Sequence, residues 1–286
     1  MRPERIAAAP ISWGVCEVPG WGHQLTPDRV LEEMTGLGIT ASEFGPDGFL
    51  PGPLLASYGV TAVGGFVPAV LHEPGHDPLP DVRAALDRFT TAGARTLVLA
   101  AATGLDGYDE RPEVDAAGWR TLLARLDEIA ALADSLGVTA ALHPHVGTVV
   151  EGPGEVDRVL DGSGVGLCLD TGHLLIGGTD PVALAARAAD RVAHVHLKDV
   201  HAPTATAVRT GRTAYTAAAG AGLYRPLGEG DLDLAALLAA LESARYPGWY
   251  VMEQDTVLAS EPPPGAGPSA DVRTSLDWLL AWTAQP

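Results

Sequence analysis

Residues 192–199 read Val192-Ala193-His194-Val195-His196-Leu197-Lys198-Asp199, with apolar and ionisable side chains alternating in a period of two. Side chains two apart in a strand share a face, so His194, His196 and Lys198 point to one side and Val195, Leu197 and Asp199 to the other. If the first side is a barrel interior, three ionisable groups there are costly unless they are paired, metal-bound or at the wet end. His196 and Lys198 lie nearer the C-terminal end and are the functional candidates. His194, one layer deeper, reads as a supporting residue.

Outward from this stretch, three more runs lead from apolar residues into polar ones at the C-terminal end. They are Val138–His145, Val165–His173 and Gly248–Asp255, which bring in His143 and His145, Asp170, and Glu253. Polar residues confined to the C-terminal ends of successive buried parallel strands are where a (β/α)8 barrel puts its chemistry. Glu43, in Ser42-Glu43-Phe44-Gly45, occupies the equivalent place on an earlier run. Imidazoles mixed with carboxylates suit a divalent metal of borderline hardness such as Mn2+, Co2+ or Zn2+.

The whole chain supports that fold. Strands are predicted at Ile6–Trp13, Ile39–Phe44, Val60–Val67, Thr96–Ala101, Val138–His143, Val165–Asp170, Val192–Lys198 and Trp249–Glu253. Their near-continuous apolar character fits strands buried on both faces. Helices are predicted between and after them at Pro27–Leu37, Gly52–Tyr58, Asp81–Ala92, Val114–Leu136, Gly154–Leu160, Pro181–Ala189, Leu232–Ala244 and Ala270–Thr283. Thr26-Pro27 and Asp180-Pro181 each set a capping side chain before a proline suited to the first helical turn. Gly38, Gly93 and Gly137 follow helices where a left-handed residue is wanted. This alternation predicts a single-domain (β/α)8 TIM barrel over residues 1–286. An open doubly wound sheet fits less well, because no Gly-x-Gly-x-x-Gly follows the first strand and the site residues spread over at least four strand ends.

The longest irregular segment expected is Val200–Gly230, and a loop of that length tends to be a lid or binding loop. Its His201, Arg209, Arg212, Tyr215, Tyr224 and Arg225 offer substrate contacts. A second irregular stretch, Glu261–Pro268, leads to the last helix.

Composition narrows the class of partner. The net charge is −18, from 36 acidic against 18 basic residues, which repels phosphate backbones and anionic lipid. Nucleic acid and membrane are therefore not expected partners, whereas a small-molecule substrate is. No segment approaches the ~18 uninterrupted apolar residues of a membrane span. Met1–Pro10 lacks the apolar core of a signal peptide. Cys16 and Cys168 make no disulfide framework, and Cys168 falls in a buried strand where a thiol acts as a small apolar side chain. A cytoplasmic protein is expected, with homo-oligomerisation left open.

Each motif has a blander explanation. His143 and His145 share a strand face across Pro144 and would otherwise be core or capping histidines. Asp170 would otherwise cap a helix, but the next helix is expected only near Asp180, so capping explains it poorly. His173 reads as a loop residue that is as easily exposed as functional. Glu253 is a natural fourth ligand or else a salt-bridge partner of Lys198.

Together these residues carry a resemblance. Ala9-Pro10-Ile11-Ser12-Trp13, Glu43-Phe44-Gly45, His143-Pro144-His145-Val146-Gly147-Thr148, Asp170-Thr171-Gly172-His173, His194 to Asp199, Leu227 to Asp233 and Gly248 to Glu253 resemble the xylose-isomerase-like TIM-barrel superfamily of sugar phosphate isomerases and epimerases. Within it the chain looks most like the inosose dehydratases. The resemblance implies a metal-dependent lyase that dehydrates a cyclic polyol ketone, 2-keto-myo-inositol in kind, through an enediolate. The alternative it implies is a ketose or sugar phosphate isomerase or epimerase using the same metal site. It carries metal ligation onto Asp170, His196 and Glu253, and leaves the fifth-strand ligand among His143, His145 and Glu151. The expected ligands are His143, Asp170, His196 and Glu253, with Lys198, His145 and Glu43 as acid–base or substrate-orienting groups. Mn2+ or Co2+ is the expected metal, with Zn2+ and Mg2+ as alternatives.

Overall fold

The computed structural model describes residues 1–284. Residues 285 and 286, the end of the expected domain, lie outside the described residues. Eight parallel strands form the barrel. They are β1 (Ile6–Ala8), β2 (Ala41–Ser42), β3 (Thr61–Ala62 and Gly64–Val70), β4 (Thr96–Ala102), β5 (Thr139–Leu142), β6 (Gly166–Asp170), β7 (Val192–Leu197) and β8 (Tyr250–Met252). Closure runs through β3. Its first segment pairs with β2 and its second with β4, with only Val63 between them. The sheet therefore returns on itself, as the βα alternation predicts.

Helices α1 (Pro27–Gly36), α2 (Gly52–Ser57), α3 (Leu79–Thr91), α4 (Ala116–Ser135), α5 (Pro153–Gly162), α6 (Thr171–Gly177) and α7 (Pro181–Arg187) surround the sheet with α8 (Ala202–Arg209), α9 (Tyr215–Gly220), α10 (Leu234–Ser243) and α11 (Pro268–Thr283). The expected caps are present. Thr26 accepts from the Arg29 amide, and Asp180 accepts from Val182 and Ala183. Gly38, Gly93 and Gly137 all take positive φ. Among the described residues no helix is long and apolar enough to cross a membrane.

Three elements differ from expectation. β1 stops at Ala8, and Pro10–Trp13 forms a 3-10 turn, because Pro10 has no amide to continue a ladder. Helix α6 begins directly after Asp170, so the expectation that no helix started before Asp180 is corrected. Val200–Gly230 is not irregular. It carries α8, α9 and an antiparallel pair, Asp199–Val200 with Tyr224–Arg225. Asp199 holds this excursion, accepting amides of Val200, Gly228, Gly230 and Leu232 at 2.9–3.1 Å.

The larger apolar side chains face the helices, where Leu97, Leu99, Leu142, Leu167, Leu169, Val195 and Leu197 join the main core. The other face of the same strands turns inward and is lined by small residues: Ala7, Ala41, Val63 and Val251, with Val98, Ala141 and Cys168 beside them. Period two then carries this inward face toward the C-terminal ends. Ala41 gives way to Glu43, Ala141 to His143 and His145, Cys168 to Asp170, and Val251 to Glu253 and Asp255. Small residues below leave room for ionisable ones above. Burial raises the Cys168 thiol to about 11, so it fills space as a neutral side chain, as expected.

Candidate functional site

Register sets the layer. Asp170 on β6 lies opposite His196 on β7, and Val251 on β8 pairs with His196 from the other side. Glu253 then continues the ladder, its amide donating to the Leu197 carbonyl at 3.0 Å. Three strands thereby bring one ligand atom each of Asp170, His196 and Glu253 within 4.8 Å of one another.

Asp170 divides its carboxylate. Oδ1 accepts the His173 amide at 2.8 Å and caps α6. Oδ2 faces the site, 3.2 Å from His143 Nε2, 3.2 Å from Lys198 Nζ and 3.5 Å from His196 Nδ1. Capping and site geometry are thus both properties of this residue. Burial alone would raise its carboxyl, but the Lys198 ammonium and the imidazole hydrogen bonds hold it well below the usual range.

Beneath this layer Glu43 receives two hydrogen bonds on Oε1, from His194 Nε2 at 2.7 Å and His196 Nε2 at 3.0 Å. Burial opposes its ionisation, but the two histidines keep it an anion far below its ordinary pKa. His194 is the supporting residue expected. His196 directs its other nitrogen, Nδ1, at the site, 3.1 Å from Glu253 Oε2. That nitrogen is buried and has no directed hydrogen bond.

Lys198 is ringed by three carboxylates: Asp255 Oδ1 at 2.7 Å, Glu253 Oε2 at 3.1 Å and Asp170 Oδ2 at 3.2 Å. Burial works against its charge, but these acids keep it an ammonium well above its usual pKa. His173 Nε2 lies 2.9 Å from the same Nζ, and the Tyr224 ring centroid 5.5 Å away.

Of the fifth-strand candidates, Glu151 is turned away. It accepts the Gly147 amide at 2.8 Å and faces Arg111. His143 and His145 both line the cleft. His143 commits Nε2 to Asp170 Oδ2, and its ligand atoms group with Asp170 and His173, or with Cys168 and His196, beside the Asp170–His196–Glu253 set rather than within it. His145 donates Nδ1–H to the Val146 carbonyl at 2.7 Å, which leaves Nε2 as its acceptor nitrogen. Its ring packs at a tilt against His173 and Tyr108, with centroids 3.7 Å and 4.4 Å away. Burial, with His143 and Lys198 nearby, pushes its pKa well down, so it stands as a neutral imidazole.

The cleft is open to solvent and has an apolar wall including Ile11, Trp21 and Phe66. Across its mouth the Tyr108 hydroxyl donates to Glu17.

Sequence reasoning missed Asp255 and His173. Asp255 shares a face with Glu253 by period two, so its signal was present. His173 stands in the Asp170-Thr171-Gly172-His173 motif, but its inward direction depends on α6, which strand periodicity does not show.

The donor set fits a divalent cation. Three buried carboxylates (Asp170, Glu253 and Asp255) surround a single lysine, a fourth (Glu43) lies beneath His196, and the buried His196 Nδ1 faces Asp170 and Glu253 without a directed partner. Carboxylate oxygens and one imidazole suit metals of hard to borderline character.

The closed parallel barrel with its ionisable C-terminal mouth defines an enzyme class, and a family described as xylose isomerase-like TIM barrel matches residues 53–282. The chain belongs to that family. It is 33% identical to an inosose dehydratase of Geobacillus kaustophilus, over 91% of this chain and 90% of that one. It is 33% identical to the rhizopine catabolism protein MocC of Rhizobium meliloti, over 88% of this chain and 81% of that one. A solved structure of the IOLI protein with a bound zinc atom shares the fold, with TM-score 0.68, 15% identity and 98% of each chain covered.

Proposed function

We propose that this chain works as one barrel domain and removes water from a cyclic polyol ketone of the inosose kind. The observation that carries the reading is the convergence of Asp170, His196 and Glu253 within 4.8 Å beside the Lys198 ammonium. The 33% identity to a named inosose dehydratase over nearly the whole chain supports the substrate class.

Dehydration takes a proton from the carbon next to the carbonyl and expels the hydroxyl one carbon further on as water. The resulting enol then ketonises to a 1,2-dione. Asp170, His196 and Glu253 would hold a divalent metal, Mn2+ or Co2+ first, which when bound would supply Lewis-acid stabilisation of the charge that develops on the ketone oxygen. His145, neutral and with Nε2 free to accept, is the group placed to take the α-proton. Lys198, charged and held by Asp255 and His173, is the donor placed to protonate the departing hydroxyl. Glu43 orients His196 and keeps its Nε2 protonated. The apolar wall and the Tyr108–Glu17 bridge limit water around the developing charge.

The test is an assay of the purified protein on inososes, ketoses and ketose phosphates, with and without Mn2+ or Co2+. Metal-dependent appearance of ultraviolet absorbance from a dione, on an inosose alone, is the expected result. Formation of an isomeric ketose without new absorbance would establish the isomerase or epimerase reading instead.

A further inference from the structure

We propose that Tyr215 is a positioning residue that holds Asp255 as the anchor to which the Lys198 ammonium withdraws when Asp170 and Glu253 take up a metal. The inference rests on the reading of Asp170, His196 and Glu253 as the metal site. It begins from an imbalance: one ammonium stands between three carboxylates, and two of them, Asp170 and Glu253, are ligands in that reading. A divalent cation held by those two repels the neighbouring ammonium. The remaining acid, Asp255, then becomes the charged anchor of Lys198, aided by His173 and the Tyr224 ring.

Asp255 lies beyond the end of β8, where no ladder fixes it, so its direction must come from side chains. Its Oδ1 takes Lys198 at 2.7 Å, and its Oδ2 accepts the Tyr215 hydroxyl at 2.6 Å. Tyr215 is buried, its oxygen lies 3.0 Å from that of Tyr224, and it opens helix α9. That helix is tied across the barrel mouth, since Asp109 of the β4–α4 loop accepts the Thr216 amide at 3.0 Å. The excursion from 200 to 230 therefore delivers one hydroxyl to one carboxylate.

Without the Tyr215 hydroxyl, Asp255 is free to rotate, and the Lys198 ammonium, already 3.1 Å from Glu253 and 3.2 Å from Asp170, has no fixed partner to withdraw to and stays in competition with the cation. The experiment compares wild type and Tyr215→Phe, each stripped of metal and titrated with Mn2+ by calorimetry. Tyr215→Phe is expected to bind Mn2+ about tenfold more weakly, the scale of one hydrogen bond to a charged group. In a Lys198→Met background, where no ammonium competes, the same substitution is expected to have no effect. Asp255→Asn gives the same comparison should Tyr215→Phe fail to fold. Equal affinity in wild type and Tyr215→Phe would overturn the inference. So would a weakening that persists in the Lys198→Met background, which would make Tyr215 a general support of the fold. Mn2+ binding needs no substrate, so these results stand whether or not an inosose is turned over. A wild type that binds no Mn2+ would overturn this inference and the metal site together.

Discussion

His196 donates Nε2–H to Glu43 Oε1 at 3.0 Å, and that bond decides which nitrogen the ring offers to Asp170 and Glu253. The carboxylate beneath fixes the tautomer and raises the basicity of the nitrogen above, the usual arrangement behind a metal-bound histidine. Glu43→Gln keeps the shape and removes the charge. Mn2+ affinity is expected to fall about 10- to 100-fold, with the far-ultraviolet circular dichroism unchanged. Unaltered affinity in a Mn2+ titration would separate Glu43 from the metal site.

Asp170→Asn and Glu253→Gln are expected to lose bound metal and turnover while remaining folded. Asparagine is as good an N-cap as aspartate, so the Asp170→Asn variant still accepts the His173 amide and α6 stays in place. Metal content by elemental analysis, beside a thermal melt, checks both halves. Full occupancy in either variant would remove that residue from the ligand set.

Lys198→Met is expected to keep its metal and lose about 100-fold or more in turnover, the scale of general acid–base effects. Lys198→Arg is not expected to rescue, since a planar guanidinium fork cannot replace a compact ammonium among three carboxylates. Near-normal turnover of either variant, with a lowered melting temperature, would reduce Lys198 to a structural ion pair.

Glu155 gives a pH dependence away from the chemistry. Burial works against its charge, but Arg111 on both oxygens at 2.9 Å and the amides of Glu151 and Gly152 at 2.8 Å lower its pKa. A carboxyl depressed on folding contributes stability above its unfolded pKa, about 4.3, and that contribution is lost as pH falls through the lower folded value. Glu155→Gln should therefore lower the melting temperature at neutral pH, with the difference from wild type shrinking as the solution is taken well below pH ~4. A constant difference down to strong acid would show that the carboxylate charge is not what is lost.

The legible part of the site was the part fixed by strand periodicity. Asp170, His196, Lys198 and Glu253 occupy inward positions at strand ends, and period two places them without knowledge of the loops. The same rule reaches Asp255, which lay one step past the point where the strand pattern seemed to stop. Local pattern could not supply α6, a seven-residue helix that begins on Thr171-Gly172 and ends at Gly177, too short and glycine-rich to show a period. With α6 unread, His173 looked like a loop residue and Asp170 seemed to have no helix to cap. The excursion from 200 to 230 was misread for a related reason. Its two helices are too short to show a period, and their order comes from packing against Trp21, Val146 and Ile176 and from hydrogen bonds to Asp199, Asp109 and Asp255, none of which local pattern reveals.

The most direct test of the central claim is the mass of the product formed from 2-keto-myo-inositol by the Mn2+-loaded protein. A product lighter by one water, absent when Glu253→Gln replaces the wild type, is the expected result. A product of unchanged mass, or water loss that Glu253→Gln leaves intact, would contradict a dehydratase built on Asp170, His196 and Glu253.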